Sequence, residues 1–217
     1  MKKGFIFDLD GVIVDTAKYH YLAWKSLANS LGFDFTESQN EQFKGVSRVR
    51  SLDILLELGQ IKASRAEKNK WLDKKNEEYL AFISTMNENE ILPDVPKILQ
   101  FLIDSKQGIA LGSASKNARP ILQKIGLIHK FEVIVDGNDV TTAKPDPEVF
   151  LIGAQKLGFD PKNCVVFEDS IAGIQAANTA RMVSVGIGDL TILQEADYNF
   201  KDFTEISNEF LSKLISA

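Results

Sequence analysis

The spacing of apolar and polar positions divides the chain into a first strand, a long helical stretch and a region where strands alternate with helices. Gly4-Phe5-Ile6-Phe7 is an apolar run that ends at Asp8, which predicts a buried strand. From about Thr16 to Asn87 the apolar positions recur at helical spacing. Beyond that stretch, the predicted strands are 109–111, 131–135, 164–167 and 182–185, and the predicted helices are 96–101, 120–125, 147–157 and 172–180.

Residues that favour helix ends subdivide the long helical stretch. Asp15-Thr16, Ser47 and Ser64 are suited to helix N-caps, and Gly32 is suited to the position after a helix. Thr36-Glu37-Ser38-Gln39 has the form of a capping box. These signals predict a small helical bundle inserted directly after the first strand.

The alternation predicts an α/β fold with a doubly wound, mainly parallel sheet and helices on both faces. We expect a discontinuous, Rossmann-like core over 1–15 and 88–217, with an α-helical cap over 16–87. Right-handed crossovers would bring the carboxyl ends of the strands to one edge of the sheet, where ligands bind in such folds.

Composition narrows the class of protein. The 217 residues are 44% hydrophobic and 25% charged, which is typical of a globular protein, and the formal net charge is −5. This acidic balance argues against nucleic acid or an anionic membrane as a partner. One cysteine, Cys164, excludes a disulfide framework, and no run approaches the ~20 apolar residues of a membrane span. We expect a cytoplasmic monomer that binds a small molecule.

Acidic, basic and hydroxyl side chains follow the predicted strands. Asp8 and Asp10 follow the first strand, Ser113 the second and Glu168-Asp169 the fourth, while Lys144 lies in the connection after the third. Clustered carboxylates repel one another unless a cation lies among them, and oxygen ligands suit octahedral Mg²⁺. The sequence therefore predicts a magnesium-dependent site at this edge.

Phosphoryl transfer is the chemistry that this set of residues favours. Asp8 leaves its strand directly and is suited to act as the nucleophile, forming an aspartyl-phosphate. Asp10 is placed to exchange a proton with the substrate hydroxyl. Lys144 would neutralise the phosphoryl oxygens, and Ser113 with nearby backbone N–H groups would donate hydrogen bonds to them.

The segment Phe7-Asp8-Leu9-Asp10-Gly11-Val12-Ile13-Val14-Asp15-Thr16 resembles the first signature of the haloacid dehalogenase superfamily of phosphotransferases. Ser113, Lys144-Pro145 and Glu168-Asp169 match its second, third and fourth signatures in order. The resemblance covers the whole chain and implies that the inserted helices are the small α-helical cap of that superfamily. It also implies that Mg²⁺ is held by Asp8, the backbone carbonyl of Asp10, Glu168 and Asp169.

Further segments resemble the sugar-phosphate mutases of the superfamily: His20 to Trp24, Lys44-Gly45-Val46-Ser47-Arg48 with Ser51, Ser113 to Asn117, and Lys144 to Phe150. This resemblance implies that β-D-glucose 1-phosphate and β-D-glucose 6-phosphate are interconverted through β-glucose 1,6-bisphosphate. It implies that the transferred phosphoryl group is bound by Ser113, Ala114 and Lys144. The residues expected to bind substrate are His20, Lys44, Gly45, Val46, Ser47, Arg48, Ser51, Lys75, Ser115, Lys116 and Asn117, with Thr16 and Trp24 in support.

A mutase must also hold a second phosphate at the far end of its substrate. Arg48 offers a planar fork suited to phosphate, and Lys116 with Asn117 would approach from the other side of the cleft. Lys75 fits a solvated helical face equally well. Two alternatives remain: a sugar-phosphate phosphatase on the same scaffold, which needs no distal phosphate site, and a non-catalytic receiver-type signalling module phosphorylated on an aspartate. The helical insertion counts against the receiver.

Overall fold

The computed structural model describes residues 2–43 and 46–216 and contains one six-stranded parallel sheet. The strands lie in the order β3-β2-β1-β4-β5-β6. The strands β2 and β3 are therefore added on one side of β1, and β4, β5 and β6 on the other side. Phe7 at the end of β1 lies beside Leu111 of β2 and Phe167 of β4. The strand bounds are β1 Gly4–Phe7, β2 Gly108–Gly112, β3 Val133–Val135, β4 Cys164–Glu168, β5 Val183–Ile187 and β6 Tyr198–Phe200.

Helices cover both faces of the sheet and form the insertion after β1. The α-helices are α1 Ala17–Ser30, α2 Glu37–Asn40, α3 Arg48–Leu58, α4 Arg65–Ile83, α5 Val95–Asp104, α6 Ala118–Lys124, α7 Glu148–Leu157, α8 Ile171–Thr179 and α9 Asn208–Ser216. Short 3₁₀ helices span Glu41–Phe43, Glu88–Glu90, Ile128–Lys130, Pro161–Asn163 and Phe203–Glu205. The predicted doubly wound α/β fold is therefore confirmed.

Alternation along the central strands explains why both faces of the sheet are covered. In β1, Phe5 and Phe7 pack into an apolar cluster with α5, α6 and α9, while Ile6 points into a second cluster with α7 and α8. All three side chains are fully buried. A strand that is apolar on both sides must be covered on both sides, which fixes the three-layer arrangement.

Helices α1–α4 form the helical insert, which has an apolar cluster of its own around Trp24, Phe35, Phe43 and Leu55. The predicted N-caps at Ser47 and Ser64 are confirmed, as is the capping box of Thr36 with Gln39. In the described ranges, no helix is long and apolar enough to cross a membrane.

The structure differs from the sequence predictions at several points. Thr16 precedes α1, but its side chain does not cap the helix, because its hydroxyl donates a hydrogen bond to Asp10 instead. The third strand begins at Val133, because Phe131 and Glu132 belong to the connection after a 3₁₀ turn. The edge strand β6 and the helix α9 were not predicted.

Candidate active site

A cavity of about 400 Å³ lies between the carboxyl edge of the sheet and the helical insert. This size lies within the range of small-molecule pockets. The predicted site residues that line it from the core are Asp8, Asp10, Ser113, Ala114, Ser115, Lys116, Asn117 and Asp169. Those that line it from the insert are His20, Trp24, Val46, Ser47, Arg48, Ser51 and Lys75. Thr16, Lys144 and Glu168 lie behind this lining, and Lys44 and Gly45 lie outside the described residues.

Asp8 is held at the centre of the sheet edge. Its backbone N–H donates to the carbonyl of Phe167 at 3.0 Å, so strand pairing continues one residue past β1. Its Oδ1 atom lies 2.6 Å from Nζ of Lys144. Burial raises the pKa of Asp8 to about 7, against the opposing charge of Lys144. Positive charge beside this carboxylate therefore favours the ionised form of Asp8.

Lys144 is a buried cation shared by two carboxylates. Its Nζ atom also lies 2.6 Å from Oε1 of Glu168, and the residue is 3% exposed. Burial opposes the charge, but Asp8 and Glu168 together raise the pKa of Lys144 above its ordinary value. Lys144 therefore stays protonated and places a positive charge beside the Asp8 carboxylate.

Glu168 contacts Lys144 with one carboxylate oxygen and Ser170 with the other. Its Oε2 atom accepts hydrogen bonds from the Ser170 backbone N–H at 2.8 Å and the Ser170 hydroxyl at 2.9 Å. A Cβ atom at Gly173, in the first turn of α8, would overlap the Glu168 carboxylate, so this position requires glycine. With both oxygens engaged, Glu168 positions Lys144; its predicted role as a direct metal ligand stays a prediction.

Asp10 lies on the turn that follows β1. Gly11 adopts φ +79°, and a Cβ atom there would overlap the Asp169 carboxylate, so glycine lets the backbone of this turn lie against Asp169. The Thr16 hydroxyl donates to Oδ1 of Asp10, and Nε2 of His20 lies 4.0 Å from the same oxygen. Burial raises the pKa of Asp10, and the Thr16 hydrogen bond opposes that rise.

Lys75 lies inside the insert and is not solvated. It is 1% exposed, and its Nζ atom lies 2.9 Å from Nδ1 of His20, 4.7 Å from the ring centre of Trp24 and 4.6 Å from that of Tyr79. Burial and the nearby Arg48 lower the pKa of Lys75 to about 7. Tyr79 was not among the predicted site residues. Its i,i+4 spacing from Lys75 was the available signal.

Arg48 opens α3 on the insert side of the cavity. The helix start is fixed by Ser47, whose Oγ atom accepts from the backbone N–H of Arg50 at 3.3 Å. The Ser51 hydroxyl donates back to the carbonyl of Ser47 at 3.2 Å. These bonds hold the first turn of α3, and Arg48 lines the cavity from that helix end.

The loop after β2 forms the wall opposite Arg48. The backbone N–H of Ser115 donates to the Ser113 hydroxyl oxygen at 3.1 Å, and that of Asn117 donates to the Ser115 hydroxyl oxygen at 3.2 Å. The Asn117 side chain donates to Oδ1 of Asn76 on α4 at 3.2 Å. This last bond joins the core loop directly to the insert.

The donor set at the sheet edge fits a hard divalent cation. Within the described residues, no three carboxylate, imidazole or thiol side chains form a ready ligand cluster. Asp8 and Asp169, however, line the cavity together with Asp10. Two carboxylates completed by a carbonyl, water and a substrate phosphate match the way proteins bind Mg²⁺, which rarely occupies an all-protein cage.

Comparison with known proteins gives consistent matches. The haloacid dehalogenase-like hydrolase family matches residues 2–181. The β-phosphoglucomutase of Bacillus subtilis is 38% identical over 211 residues, which covers 96% of this chain and 93% of that protein. The crystal structure of β-phosphoglucomutase from Clostridium difficile has a TM-score of 0.95 and 40% identity, covering 100% of this chain and 98% of that chain. The phosphorylated carbohydrates phosphatase of Thermotoga maritima is 34% identical, covering 81% of this chain and 80% of that protein.

Proposed function

The chain belongs to the haloacid dehalogenase-like hydrolase family, and we propose that it is a phosphomutase that interconverts β-D-glucose 1-phosphate and β-D-glucose 6-phosphate. This proposal rests on the full-length similarity of the chain to two β-phosphoglucomutases, at 38% and 40% identity. The predicted membership of the haloacid dehalogenase superfamily is confirmed. The cavity supports the substrate class, because it has a carboxylate nucleophile on one wall and an arginine on the other.

Asp8 would carry the phosphoryl group between the two positions of the sugar. In one half-reaction, phosphorylated Asp8 gives its phosphoryl group to the 6-hydroxyl of glucose 1-phosphate, and the bond from phosphorus to the Asp8 oxygen breaks. Asp10 accepts the proton of that hydroxyl. In the other half-reaction, Asp8 takes the 1-phosphoryl group of the bisphosphate, and Asp10 returns the proton to the 1-oxygen.

Two features support Asp10 as the acid and base. Burial raises its pKa, which brings the carboxyl closer to the pH at which it exchanges protons efficiently. Its Oδ1 atom is held by Thr16, with His20 4.0 Å away. Thr16 and His20 would therefore orient Asp10 rather than take part in the chemistry.

We propose Mg²⁺ as the cation, held by Asp8, the carbonyl of Asp10 and Asp169, with Glu168 behind them. When bound, the cation would neutralise charge on the phosphoryl oxygens and favour the ionised form of Asp8. Lys144 supplies a second, permanent positive charge at the same carboxylate. Ser113 and Ala114 would bind the remaining phosphoryl oxygens from the loop after β2.

The helical insert would act as a cap over this chemistry, with 1–15 and 88–217 as the catalytic core. Arg48, together with Lys116 and Asn117, would hold the phosphate that is not being transferred. Val46, Ser47, Ser51, Ser115, His20 and Lys75 would surround the sugar. Closure would exclude water, which would otherwise hydrolyse the aspartyl-phosphate. That the protein acts as a cytoplasmic monomer stays a prediction.

The direct test incubates the protein with Mg²⁺, β-glucose 1-phosphate and a trace of β-glucose 1,6-bisphosphate. We expect glucose 6-phosphate to form in large excess over inorganic phosphate. The main alternative is a sugar-phosphate phosphatase, which the Thermotoga maritima relative represents. Release of inorganic phosphate without isomerisation would favour it. The receiver-type alternative is wrong, because the chain belongs to a family of hydrolases and mutases.

A further inference from the structure

The side chain of Asn40 is a buried polar group to which the proposed mechanism gives no role. Asn40 ends α2 in the insert and is 7% exposed. Its Oδ1 atom has no hydrogen-bond partner among the described residues. The residue also lines the cavity that contains Asp8. An unpaired amide oxygen in a folded interior is unfavourable, so this group requires an explanation.

The cavity wall near Asn40 is otherwise largely apolar. Trp24 and Phe43 line the cavity with their rings perpendicular and 5.6 Å apart, and Val46 and Val49 also belong to the lining. Trp24 and Phe43 belong to the apolar cluster of the insert, which needs no amide to pack. An apolar wall with a few placed polar groups is typical of a site that recognises a sugar or another small polar molecule.

The other polar side chains on this wall have partners or a different chemistry. Ser51 donates to the Ser47 carbonyl, and Lys75 is paired with His20. Arg48 is cationic and suited to phosphate. Asn40 is neutral, with an amide that both donates and accepts. A hydroxyl group has the same two capacities, whereas a phosphate dianion has no proton to offer Oδ1.

We propose that Asn40 binds a ring hydroxyl of the sugar phosphate and so discriminates between sugars. This assignment rests on the proposed function, because it requires a sugar phosphate in the cavity. A site that hydrogen-bonds a substrate hydroxyl rejects an analogue without it, since the protein group is then left unpaired.

The test is a calorimetric titration of the Mg²⁺-loaded protein with glucose 6-phosphate and with its 2-deoxy, 3-deoxy and 4-deoxy analogues. Wild-type protein and the Asn40→Leu variant are compared. We expect one deoxy analogue to bind wild-type protein about tenfold more weakly than glucose 6-phosphate. In Asn40→Leu that difference should disappear. The unfolding midpoint of the variant should not fall, because leucine removes an unpaired buried polar group.

Two further variants keep the test decisive. Asn199→Leu is the matched control, because Oδ1 of Asn199 is also buried with no partner in the described part of the chain, but lies in β6 and is not among the residues that line the cavity. It should keep the wild-type pattern across the analogues. Asn40→Ser replaces Asn40→Leu if the latter fails to fold, and its shorter side chain should abolish the same discrimination.

The outcomes separate this assignment from the proposed function. If wild-type protein binds glucose 6-phosphate and Asn40→Leu retains the full deoxy penalty, the assignment of Asn40 is overturned and the proposed function stands. Equal weakening for all four ligands would also overturn it, because it would show that Asn40 only supports the neighbouring loop. Failure of wild-type protein to bind glucose 6-phosphate would overturn both.

Discussion

At the scale of single residues, the site depends on one buried cation between two carboxylates. Lys144 lies 2.6 Å from both Asp8 and Glu168, and all three residues are buried. Each charge is tolerated in the interior only because the others are present. The same arrangement that stabilises the site therefore supplies the positive charge beside Asp8, the proposed nucleophile.

Removal of Lys144 should affect both stability and activity. In Lys144→Met, two buried carboxylates lose their shared cation, so the free energy of unfolding should fall by roughly 3–5 kcal/mol and mutase activity should be lost. Urea unfolding and the coupled mutase assay measure these effects. Lys162→Met is the control, because its ion pair with Asp160 is exposed and should contribute less than about 1 kcal/mol. Equal stability losses in the two variants would contradict this account.

Arg48 should matter for the phosphate that is not transferred. In Arg48→Ala, the apparent affinity for β-glucose 1,6-bisphosphate should fall about tenfold or more, whereas phosphorylation of the enzyme by a small acyl phosphate should change little. Steady-state assays measure the apparent affinity for the bisphosphate, and single-turnover assays measure phosphorylation by the acyl phosphate. Arg50→Ala is the matched control, because Arg50 lies on the same helix but is exposed and paired with Glu57. Equal losses for both phosphoryl donors would refute the distal-phosphate role.

The buried Lys75 should make stability depend on pH. Its pKa is about 7 in the folded protein and about 10.4 in an unfolded chain. Between these values the unfolded chain binds a proton that the folded protein does not, so stability rises with pH. From pH 7 to pH 10, wild-type protein should gain roughly 3–4 kcal/mol of unfolding free energy relative to Lys75→Met.

Urea unfolding of both proteins at pH 7, 8, 9 and 10 measures this difference. Titrations of other groups largely cancel when the two curves are subtracted. Lys74→Met is the control, because Lys74 is exposed and should show no such trend relative to wild type. A difference between wild type and Lys75→Met that stays constant with pH would show that Lys75 keeps an ordinary pKa in the folded protein.

At the scale of secondary-structure elements, two serine N-caps allow the effect of a helix start on substrate binding to be distinguished from its effect on the free energy of unfolding. Ser47 caps α3, which presents Arg48 to the cavity, and Ser64 caps α4 in a capping box with Glu67. Both Ser47→Ala and Ser64→Ala should lower the unfolding free energy by about 1 kcal/mol. Only Ser47→Ala should raise KM for glucose 1-phosphate. An unchanged KM in Ser47→Ala would show that the start of α3 does not position substrate groups.

The elements that could be predicted are those with strong local signals. The central strands are apolar on both faces, and the caps at Ser47 and Ser64 depend on residues three positions apart. The strand β6 has only three residues at the edge of the sheet, which is too short for an alternating pattern. Helix α9 has a usable signal in Leu211 and Leu214, which pack into the core, although no helix was predicted there.

Within the site, positions could be predicted but hydrogen-bond partners could not. The acids and Lys144 follow predicted strands, so their meeting follows from the parallel sheet. That Glu168 binds Lys144 and Ser170, and that Thr16 binds Asp10 rather than capping α1, depends on the packed geometry. Asn40 belongs to no recognisable motif, and it stands out only because its Oδ1 atom has no hydrogen-bond partner among the described residues.

At the scale of the whole molecule, the helical insert joins the core through two adjacent segments. The backbone N–H of Asp15 donates to the carbonyl of Glu90 at 3.1 Å, and that of Leu92 donates to Ile13 at 3.0 Å. Val14 and Ile91 form an antiparallel bridge between the same segments. Because the chain enters and leaves the insert side by side, we expect the insert to move as one unit over the cavity.

The central claim is that Asp8 transfers a phosphoryl group between sugars rather than to water. The most direct measurement mixes the Mg²⁺-loaded protein with β-glucose 1,6-bisphosphate labelled with ³²P, quenches it rapidly and maps the label by peptide analysis. A chase with unlabelled β-glucose 1-phosphate follows, and Asp8→Asn is the control. We predict that the label appears on Asp8, is absent from Asp8→Asn, and moves during the chase into sugar phosphate. Label on another residue, or label that passes from the protein mainly to inorganic phosphate, would contradict the account.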